Sequence, residues 1–178
     1  MSKYVYQDNL ESPRVLTRYL TKDDIKSWSS FFNDDEATEF LPNPGIQSNE
    51  ERSAYWIEKQ LNRYRNKLFG LQALISKETN EFIGQCGLLT QTVDEKIEVE
   101  VGYHIFKKYW GRGYAPEAAK IFIDFAFRND LANSIISIIN VNNIKSQRVA
   151  NKNFLIREKQ AVWSGLDVYI YRIDNSKK

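Results

Sequence analysis

The segment at residues 107–117, which reads Lys-Lys-Tyr-Trp-Gly-Arg-Gly-Tyr-Ala-Pro-Glu, constrains the fold of this chain more than any other stretch. A strand-like pattern precedes the segment, a helical pattern follows it, and Gly111 and Gly113 lie at the change. Because glycine accepts positive φ and close approach of a ligand, the backbone N–H groups of residues 110–115 can converge on phosphate oxygens. The positive end of the helix dipole would strengthen such a site. The sequence therefore predicts an anion-binding loop between a strand and a helix.

A Gly-x-Gly pair also occurs in ordinary strand-to-helix turns, so the pair alone does not establish phosphate binding. Two common nucleotide motifs are excluded. No Gly-Lys-Ser/Thr closes the loop as in a Walker A motif, and Pro116 stands at the third glycine position of a dinucleotide fingerprint. Pro116 instead suits the first turn of a helix. Lys107, Lys108 and Arg112 add positive charge to the loop.

Composition limits the classes of protein to consider. With 178 residues we expect one domain over residues 1–178, with residues 1–13 as an N-terminal extension, and either a monomer or a homodimer. Lysine and arginine exceed the acidic residues by only two, which argues against a dedicated nucleic-acid binder. No signal core or membrane-length run is present. A single cysteine, Cys86, and a single histidine exclude an internal disulfide and predict no metal site, so a cytoplasmic location is expected.

The order of elements indicates an α+β fold around one mixed sheet. Strand patterns occupy residues 14–19, 69–75, 82–89, 97–106, 134–141 and 168–173, the last among the terminal strands. Helical patterns occupy residues 21–32, 48–65, 114–128 and 146–152. Ser48 and Glu51 form a capping box for the second helix. The strand, helix and strand from residue 97 to 141 predict two parallel neighbours, with the glycine loop at the carboxyl end of the first, where ligand sites are favoured.

Alternation along residues 97–106 predicts two faces for that strand. Ile97, Val99, Val101 and Tyr103 share one face, and the other carries Glu98, Glu100 and Gly102.

Two segments resemble the GCN5-related N-acetyltransferase (GNAT) superfamily, most closely the branch of ribosomal-protein-alanine N-acetyltransferases and related RimJ/RimL-like enzymes. The first is Glu-Val-Gly-Tyr at residues 100–103 followed by Tyr-Trp-Gly-Arg-Gly-Tyr-Ala-Pro-Glu-Ala at residues 109–118. The second runs from Asn143 through Ser146 to Asn153. The resemblance spans nearly the whole chain and implies the acyl-CoA N-acyltransferase fold, a mostly antiparallel sheet of about seven strands flanked by about four helices.

The resemblance also implies direct transfer of an acetyl group from acetyl-CoA to a primary amine of a small molecule or a protein N-terminus. The pyrophosphate would lie over the loop, the pantetheine arm would pair with backbone near residues 104–106, and Asn143 would bond that arm. The implied cofactor-binding residues are His104, Ile105, Phe106, Lys108, Trp110, Gly111, Arg112, Gly113, Tyr114, Ala115, Asn143 and Ser146.

The resemblance implies Glu100 as the general base, with Glu98 in reserve; either carboxylate could instead be solvent-facing or structural. Ser146 is implied as the proton donor to the leaving sulfur, but it could be only a helix cap. His104 could be catalytic or simply packed. Ala150 stands where many relatives carry a tyrosine acid, so that route is absent. Lys108 replaces the usual first residue of the loop but keeps a donor, and Phe154 and Leu155 replace a Gly-Phe pair.

Two other functions stay open from the sequence: a catalytically silent domain that senses acyl-CoA, and nucleic-acid binding through the loop's basic and aromatic residues. No pattern in the sequence identifies the acceptor. Trp28 and Trp56 could belong to the core or to the acceptor wall. A run of acidic residues could form an acidic entrance or a solvated surface; these are Asp34, Asp35, Glu36 and Glu39.

Overall fold

The computed structural model describes residues 6–42 and 44–176, which form one seven-stranded sheet with helices on both faces. The order across the sheet is β1-β2-β3-β4-β5-β7-β6, and all neighbours are antiparallel except β4 and β5. The predicted α+β fold with a mixed, mostly antiparallel sheet of about seven strands is therefore confirmed. The strands are β1 (Val15–Arg18), β2 (Leu71–Ser76), β3 (Phe82–Val93), β4 (Lys96–Ile105), β5 (Ser134–Asn140), β6 (Ile156–Trp163) and β7 (Leu166–Asp174).

The described residues contain five α-helices, one more than the sequence predicted. The first predicted helix is shorter than expected and continues as a 3-10 turn, Ser30–Asn33. The additional helix is a single turn, which Asp34 caps by accepting a hydrogen bond from the Ala37 N–H at 3.0 Å. The helices are α1 (Asp24–Ser29), α2 (Asp35–Thr38), α3 (Asn49–Arg65), α4 (Tyr114–Arg128) and α5 (Ile144–Lys152).

Capping side chains set the starts of α3 and α5. Ser48 accepts a hydrogen bond from the Glu51 N–H at 3.3 Å, which confirms the predicted cap of α3. Helix α5 begins two residues earlier than predicted, because Asn143 Oδ1 accepts from the Ser146 N–H at 3.1 Å. Asn143 is therefore the cap, and the alternative that Ser146 caps this helix is wrong.

Two apolar clusters lie on opposite faces of the sheet. Phe122 of α4 is fully buried in the larger cluster, which contains Leu74 of β2. Trp28 of α1 is fully buried in the second cluster, which contains Ala73, the residue before Leu74. Successive strand residues thus supply opposite faces. Truncating a core aromatic such as Phe122 to alanine costs about 3–5 kcal/mol. Of the two alternatives for Trp28, the core is the correct one.

Two strand predictions needed revision. Strand β6 was not located by the sequence, because it is an edge strand that pairs with β7 alone and its side chains are mostly exposed or half-buried. Ile97 was predicted to share the buried face of β4, but it is 78% exposed. It pairs with Thr92 at the start of β4, next to the turn that joins β3 to β4. Val101 on the same strand is buried as predicted.

Candidate active site

A cleft opens where the two parallel strands of the sheet separate. Strands β4 and β5 pair only at Glu100 and Ile136, although both continue for several residues beyond that point. Residues 102–105 of β4 and 137–140 of β5 line opposite sides of a cleft of about 1200 Å³. Helices α3 and α5 and the glycine loop supply the remaining walls. The predicted position of the loop, at the carboxyl end of the first parallel strand, is confirmed.

The glycine loop has the backbone that its sequence predicts. Gly111 has φ +74° and Gly113 has φ +79°, in the left-handed region that favours glycine. A Cβ at Gly111 would meet nothing within 4 Å, so that residue borders open space. Helix α4 begins directly after Gly113, and the first N–H groups of a helix have no partner within it. Loop and helix together present N–H groups and a positive dipole end to the cleft, as an anion-binding loop requires.

Side chains from outside the loop hold it in place. Glu117 in the first turn of α4 accepts hydrogen bonds from Arg14 Nε at 2.7 Å and from Ser12 Oγ at 2.6 Å. Arg14 also donates from Nη1 to the Arg112 carbonyl oxygen at 3.0 Å. Trp110 donates from its indole nitrogen to the Ile105 carbonyl oxygen at 2.8 Å. The loop is therefore fixed to both the end of β4 and the segment before β1.

Most residues predicted to bind a cofactor line this cleft. Three do not. Phe106 packs in the core, with its ring centroid 5.2 Å from that of Trp28. Lys108 points to Glu81, with 3.3 Å between Nζ and Oε1, and the Arg112 guanidinium lies 5.7 Å from the Tyr109 ring centroid. The predicted residues that line the cleft are His104, Ile105, Trp110, Gly111, Gly113, Tyr114, Ala115, Asn143 and Ser146.

Glu100 lines the cleft at the point where β4 and β5 separate, and its residue is only 7% exposed. Its Oε2 accepts a hydrogen bond from Gln91 Nε2 at 2.8 Å, and its Oε1 accepts one from the Ile138 N–H at 3.3 Å. Burial raises the pKa of Glu100 to about 7, while these hydrogen bonds and the charge of Arg63 act against the rise. A carboxyl group with this pKa can take up and release a proton near neutral pH.

Glu98, the reserve candidate for the base, has a different environment. Arg172 donates to both of its oxygens, at 2.8 and 3.1 Å. These bonds hold the pKa of Glu98 below its usual range, and Glu98 does not line the cleft. A paired carboxylate of this kind is a poor proton acceptor. The geometry therefore favours Glu100 over Glu98.

Ser146 and Asn143 meet β4 at the side of the cleft formed by α5. The Tyr103 hydroxyl donates to the Ser146 carbonyl oxygen at 3.0 Å, which ties the first turn of α5 to β4. The Ser146 residue lines the cleft. The cap of α5 uses Asn143 Oδ1, so the Asn143 Nδ2 donor does not take part in the cap. Tyr103 also lines the cleft, but no pattern in the sequence singles out its hydroxyl.

His104 is packed against aromatic rings. Its ring centroid lies 5.0 Å from Trp56 in an edge-to-face arrangement, and Trp56 donates to Gln85 Oε1 at 2.9 Å. Burial lowers the pKa of His104 to about 4, so the ring is neutral at physiological pH. These contacts favour the packed alternative for His104. Trp56 lines the cleft and also packs against the core cluster that contains Trp28.

Two members of the acidic run before α3 are engaged within the protein, whereas Glu39 lines the cleft. Glu36 bonds both Lys107 and Lys145, which lower its pKa to about 2, and Asp34 caps α2. Helix α3 presents three basic side chains to the cleft, namely Arg52, Lys59 and Arg63. Their place in the cleft was not predicted from the sequence, because basic residues on a helix are usually part of a solvated face. Their spacing of seven and four residues is the only sequence signal that they share a face.

No helix within residues 6–42 and 44–176 is long and apolar enough to cross a membrane. In the same ranges, no three His, Cys, Asp or Glu side chains are grouped so that they could hold a metal ion.

Comparisons with known proteins agree with this geometry. The profile of the acetyltransferase (GNAT) domain matches residues 14–153. A relative from Bacillus licheniformis, named as the uncharacterized N-acetyltransferase p20, is 26% identical over 179 residues and covers 93% of this chain and 96% of its own.

Solved structures share the fold. An acetyltransferase from Agrobacterium tumefaciens superposes with a TM-score of 0.78 at 24% identity, with 96% of each chain covered. A RimL ribosomal L7/L12 α-N-protein acetyltransferase in complex with coenzyme A has a TM-score of 0.76 at 15% identity, covering 94% of this chain and 97% of its own. The predicted likeness to RimL-type enzymes is thus confirmed at the level of the fold. The domain profile, which spans most of the sequence, shows that this chain belongs to the GNAT acetyltransferase family.

Proposed function

We propose that the protein transfers an acetyl group from acetyl-CoA directly to a primary amine, of a small molecule or of a protein N-terminus, as a single domain over residues 1–178. The observation that carries the proposal is Glu100. Its carboxyl group is buried at the junction of β4 and β5, lines the cleft, and has a pKa of about 7. A strongly perturbed carboxyl group in a cleft is a candidate general base.

The residues present fit coenzyme A. The loop with two left-handed glycines and the N-terminus of α4 suit the pyrophosphate. Within the described residues, the edge of β4 that faces β5 has no strand partner from Val101 to Ile105, so an extended pantetheine arm can bond this edge as an added strand would. The Phe106 N–H is not available to the arm, because it donates to the Ile83 carbonyl oxygen at 3.1 Å. Asn143 Nδ2 is placed on the same side as a further donor. Acetyl-CoA would supply the activated acyl group.

The chemistry requires two proton movements. An α-amine has a pKa of about 8 and a lysine amine about 10.4, so either arrives mostly protonated at neutral pH. Glu100, as the carboxylate, would accept that proton directly or through one water, and a neutral amine can then attack. As the C–S bond breaks, Ser146 would donate its hydroxyl proton to the leaving sulfur and take the second proton from the nitrogen, so that the products are the N-acetyl amine and the thiol of coenzyme A. Backbone N–H groups in the cleft would stabilise the oxyanion.

The RimL structure contains coenzyme A, and that protein is a ribosomal L7/L12 α-N-protein acetyltransferase. This similarity of fold supports the cosubstrate and is compatible with a protein acceptor.

The experiment that tests the proposal is a thiol-release assay with acetyl-CoA, run against a panel of amines and short N-terminal peptides, beside Glu100→Gln and a calorimetric titration of coenzyme A. We expect release with one class of amine, lost in Glu100→Gln while coenzyme A still binds. Binding without release for every acceptor would favour the acyl-CoA sensor. If coenzyme A does not bind at all, the proposal fails.

A further inference from the structure

The walls of the cleft carry an excess of positive charge. Six basic side chains line it, against three carboxylates. The carboxylates are Glu36, Glu39 and Glu100. Glu36 already bonds Lys107 and Lys145. Three of the basic residues, on α5, belong to the side proposed for coenzyme A. The other three, on α3, form the opposite wall. The six are Arg52, Lys59 and Arg63 on α3, and Lys145, Arg148 and Lys152 on α5.

The three α3 residues form one row. Their spacing of seven and four residues places them on the same face of a helix, together with Trp56. At 1.5 Å per residue, the row extends about 16 Å from Arg52 to Arg63. Arg63 lines the same cleft as Glu100 and its charge acts on that carboxyl group, so the row borders the space in front of Glu100.

These side chains form no ion pair with a carboxylate in the part of the chain that the structure describes. None of the salt bridges formed by residues 6–42 and 44–176 includes Arg52, Lys59 or Arg63. The Arg52 guanidinium stacks over the Phe32 ring at 4.6 Å, and its buried Nε donates to no acceptor. By contrast, Arg65 on the solvent side of the same helix is paired with Glu58.

We propose that this row on α3 is the acceptor-recognition surface, and that the amine acceptor therefore carries carboxylate groups. The inference rests on the proposed acetyl transfer and narrows it. Guanidinium and ammonium groups that lack a carboxylate in the fold bind one from a ligand, and arginine does so with paired N–H donors. An amine without an anionic group would meet only repulsion from this wall.

The row also assists the chemistry. Positive charges near a bound amine disfavour its protonated form, so they promote the neutral amine that attacks the acetyl group. Of the three residues, Arg63 is the one whose charge acts on the Glu100 carboxyl group. A carboxylate bound by the row would place the amine of the same molecule in front of Glu100.

Matched pairs of acceptors test the proposal. The first pair is free L-glutamate and its diamide. The second is the amidated peptides Ala-Glu-Glu and Ala-Gln-Gln, which have the same length and differ only in charge. We expect kcat/KM to be at least about tenfold higher for the anionic member of one pair. A preference in the peptide pair alone would identify an acidic protein N-terminus as the class of acceptor. A preference in the first pair alone would identify an amino acid as the class of acceptor.

The variant for this test is Lys59→Gln/Arg63→Gln, which leaves the stacking of Arg52 intact. In this variant, the ratio of kcat/KM between the anionic and the neutral member should fall close to one, mainly because KM of the anionic member rises. The matched control is Arg65→Gln on the opposite side of α3, which should leave the ratio unchanged within about twofold.

Three results are decisive. Equal or better use of the neutral members by the unmodified protein overturns the inference but leaves acetyl transfer intact. The inference is also overturned if the double variant keeps the anionic preference. If no member of either pair is acetylated, the peptides are titrated into the protein loaded with coenzyme A. Charge-dependent binding that is lost in the double variant then upholds the recognition surface while acetyl transfer fails, and its absence overturns both.

Discussion

The two sides of the cleft are built by different means. The side proposed for coenzyme A consists mainly of backbone: two left-handed glycines, the start of α4 and the unpartnered edge of β4. The acceptor side consists of side chains that project from α3. A backbone site depends on a few glycines and a proline and suits one constant ligand. A side-chain site can change its ligand through substitutions that leave the fold intact. Under the proposed function, cosubstrate and acceptor would therefore be specified by separable parts of the chain.

Glu100→Gln should have the largest effect, because Glu100 lies between the two sides and would serve both. We expect kcat to fall about 100-fold or more, as removal of a general base does, while the affinity for coenzyme A stays within about twofold. Steady-state kinetics and calorimetry measure the two quantities. A second variant, Gln91→Glu, keeps the length of the neighbouring side chain but removes the hydrogen bond that Gln91 donates to the Glu100 carboxyl group. Loss of coenzyme A binding in Glu100→Gln would mean that the two sides are not separable.

The pH dependence should report on the same group. Because the carboxylate is the active form, kcat/KM should rise with pH through the pKa of Glu100, at about 7. Below that value each pH unit lowers the rate about tenfold. A profile of kcat/KM between pH 5.5 and 9 is the measurement. A limb near 7 that persists in Glu100→Gln would assign the titration to another group.

Ser146→Ala should have a smaller effect, which we expect to be about tenfold on kcat with little change in binding of coenzyme A. Only the hydroxyl is removed, and the bond from the Tyr103 hydroxyl goes to the Ser146 backbone oxygen and persists. The defect of Ser146→Ala should be measured with acetyl-CoA and with a second acetyl thioester whose thiol has a lower pKa. The defect should shrink with the better leaving group. An equal defect with both would exclude Ser146 as the proton donor.

Gly111→Ala should have the smallest effect and should be confined to the cosubstrate side. An added Cβ meets nothing within 4 Å, so the cost is the strain of a left-handed alanine, about 1 kcal/mol, or roughly a fivefold loss of affinity for coenzyme A. The KM of the acceptor should not change. Calorimetry and acceptor kinetics check the two parts. A matched change in acceptor KM would show that the loop also shapes the acceptor side.

The sequence predicted the backbone of the glycine loop far better than the burial of Glu100 or the position of the α3 side chains, for a physical reason. Positive φ at Gly111 and Gly113 is a local requirement that glycine itself signals. The cap at Ser48 is equally local. The cap of α5 was missed because Asn143 was assigned to the cosubstrate alone, although one side chain has both an acceptor and donors.

The features of the acceptor side arise from the packing of distant segments. Glu100 is buried only because Gln91 of β3 and the Ile138 backbone of β5 meet it, and neither can be placed from the alternation along β4. The row on α3 looks like an ordinary solvated face until the helix is packed across the sheet. Ile97 shows the opposite error, because alternation marks a face of a strand but not how far the covering layer extends.

The buried carboxyl group at the strand junction also affects how the protein folds. A glutamate in the unfolded chain has a pKa of about 4.3, whereas Glu100 in the fold has one of about 7. The folded state therefore binds more protons between these values, and the contribution of this residue to stability falls as the pH rises through that window. Denaturant unfolding at several pH values should show this decline, and Glu100→Gln should remove it. The carboxylate that would act as the base under the proposed function is thus the form in which the fold is less stable, so catalysis and folding stability would have opposite pH dependences.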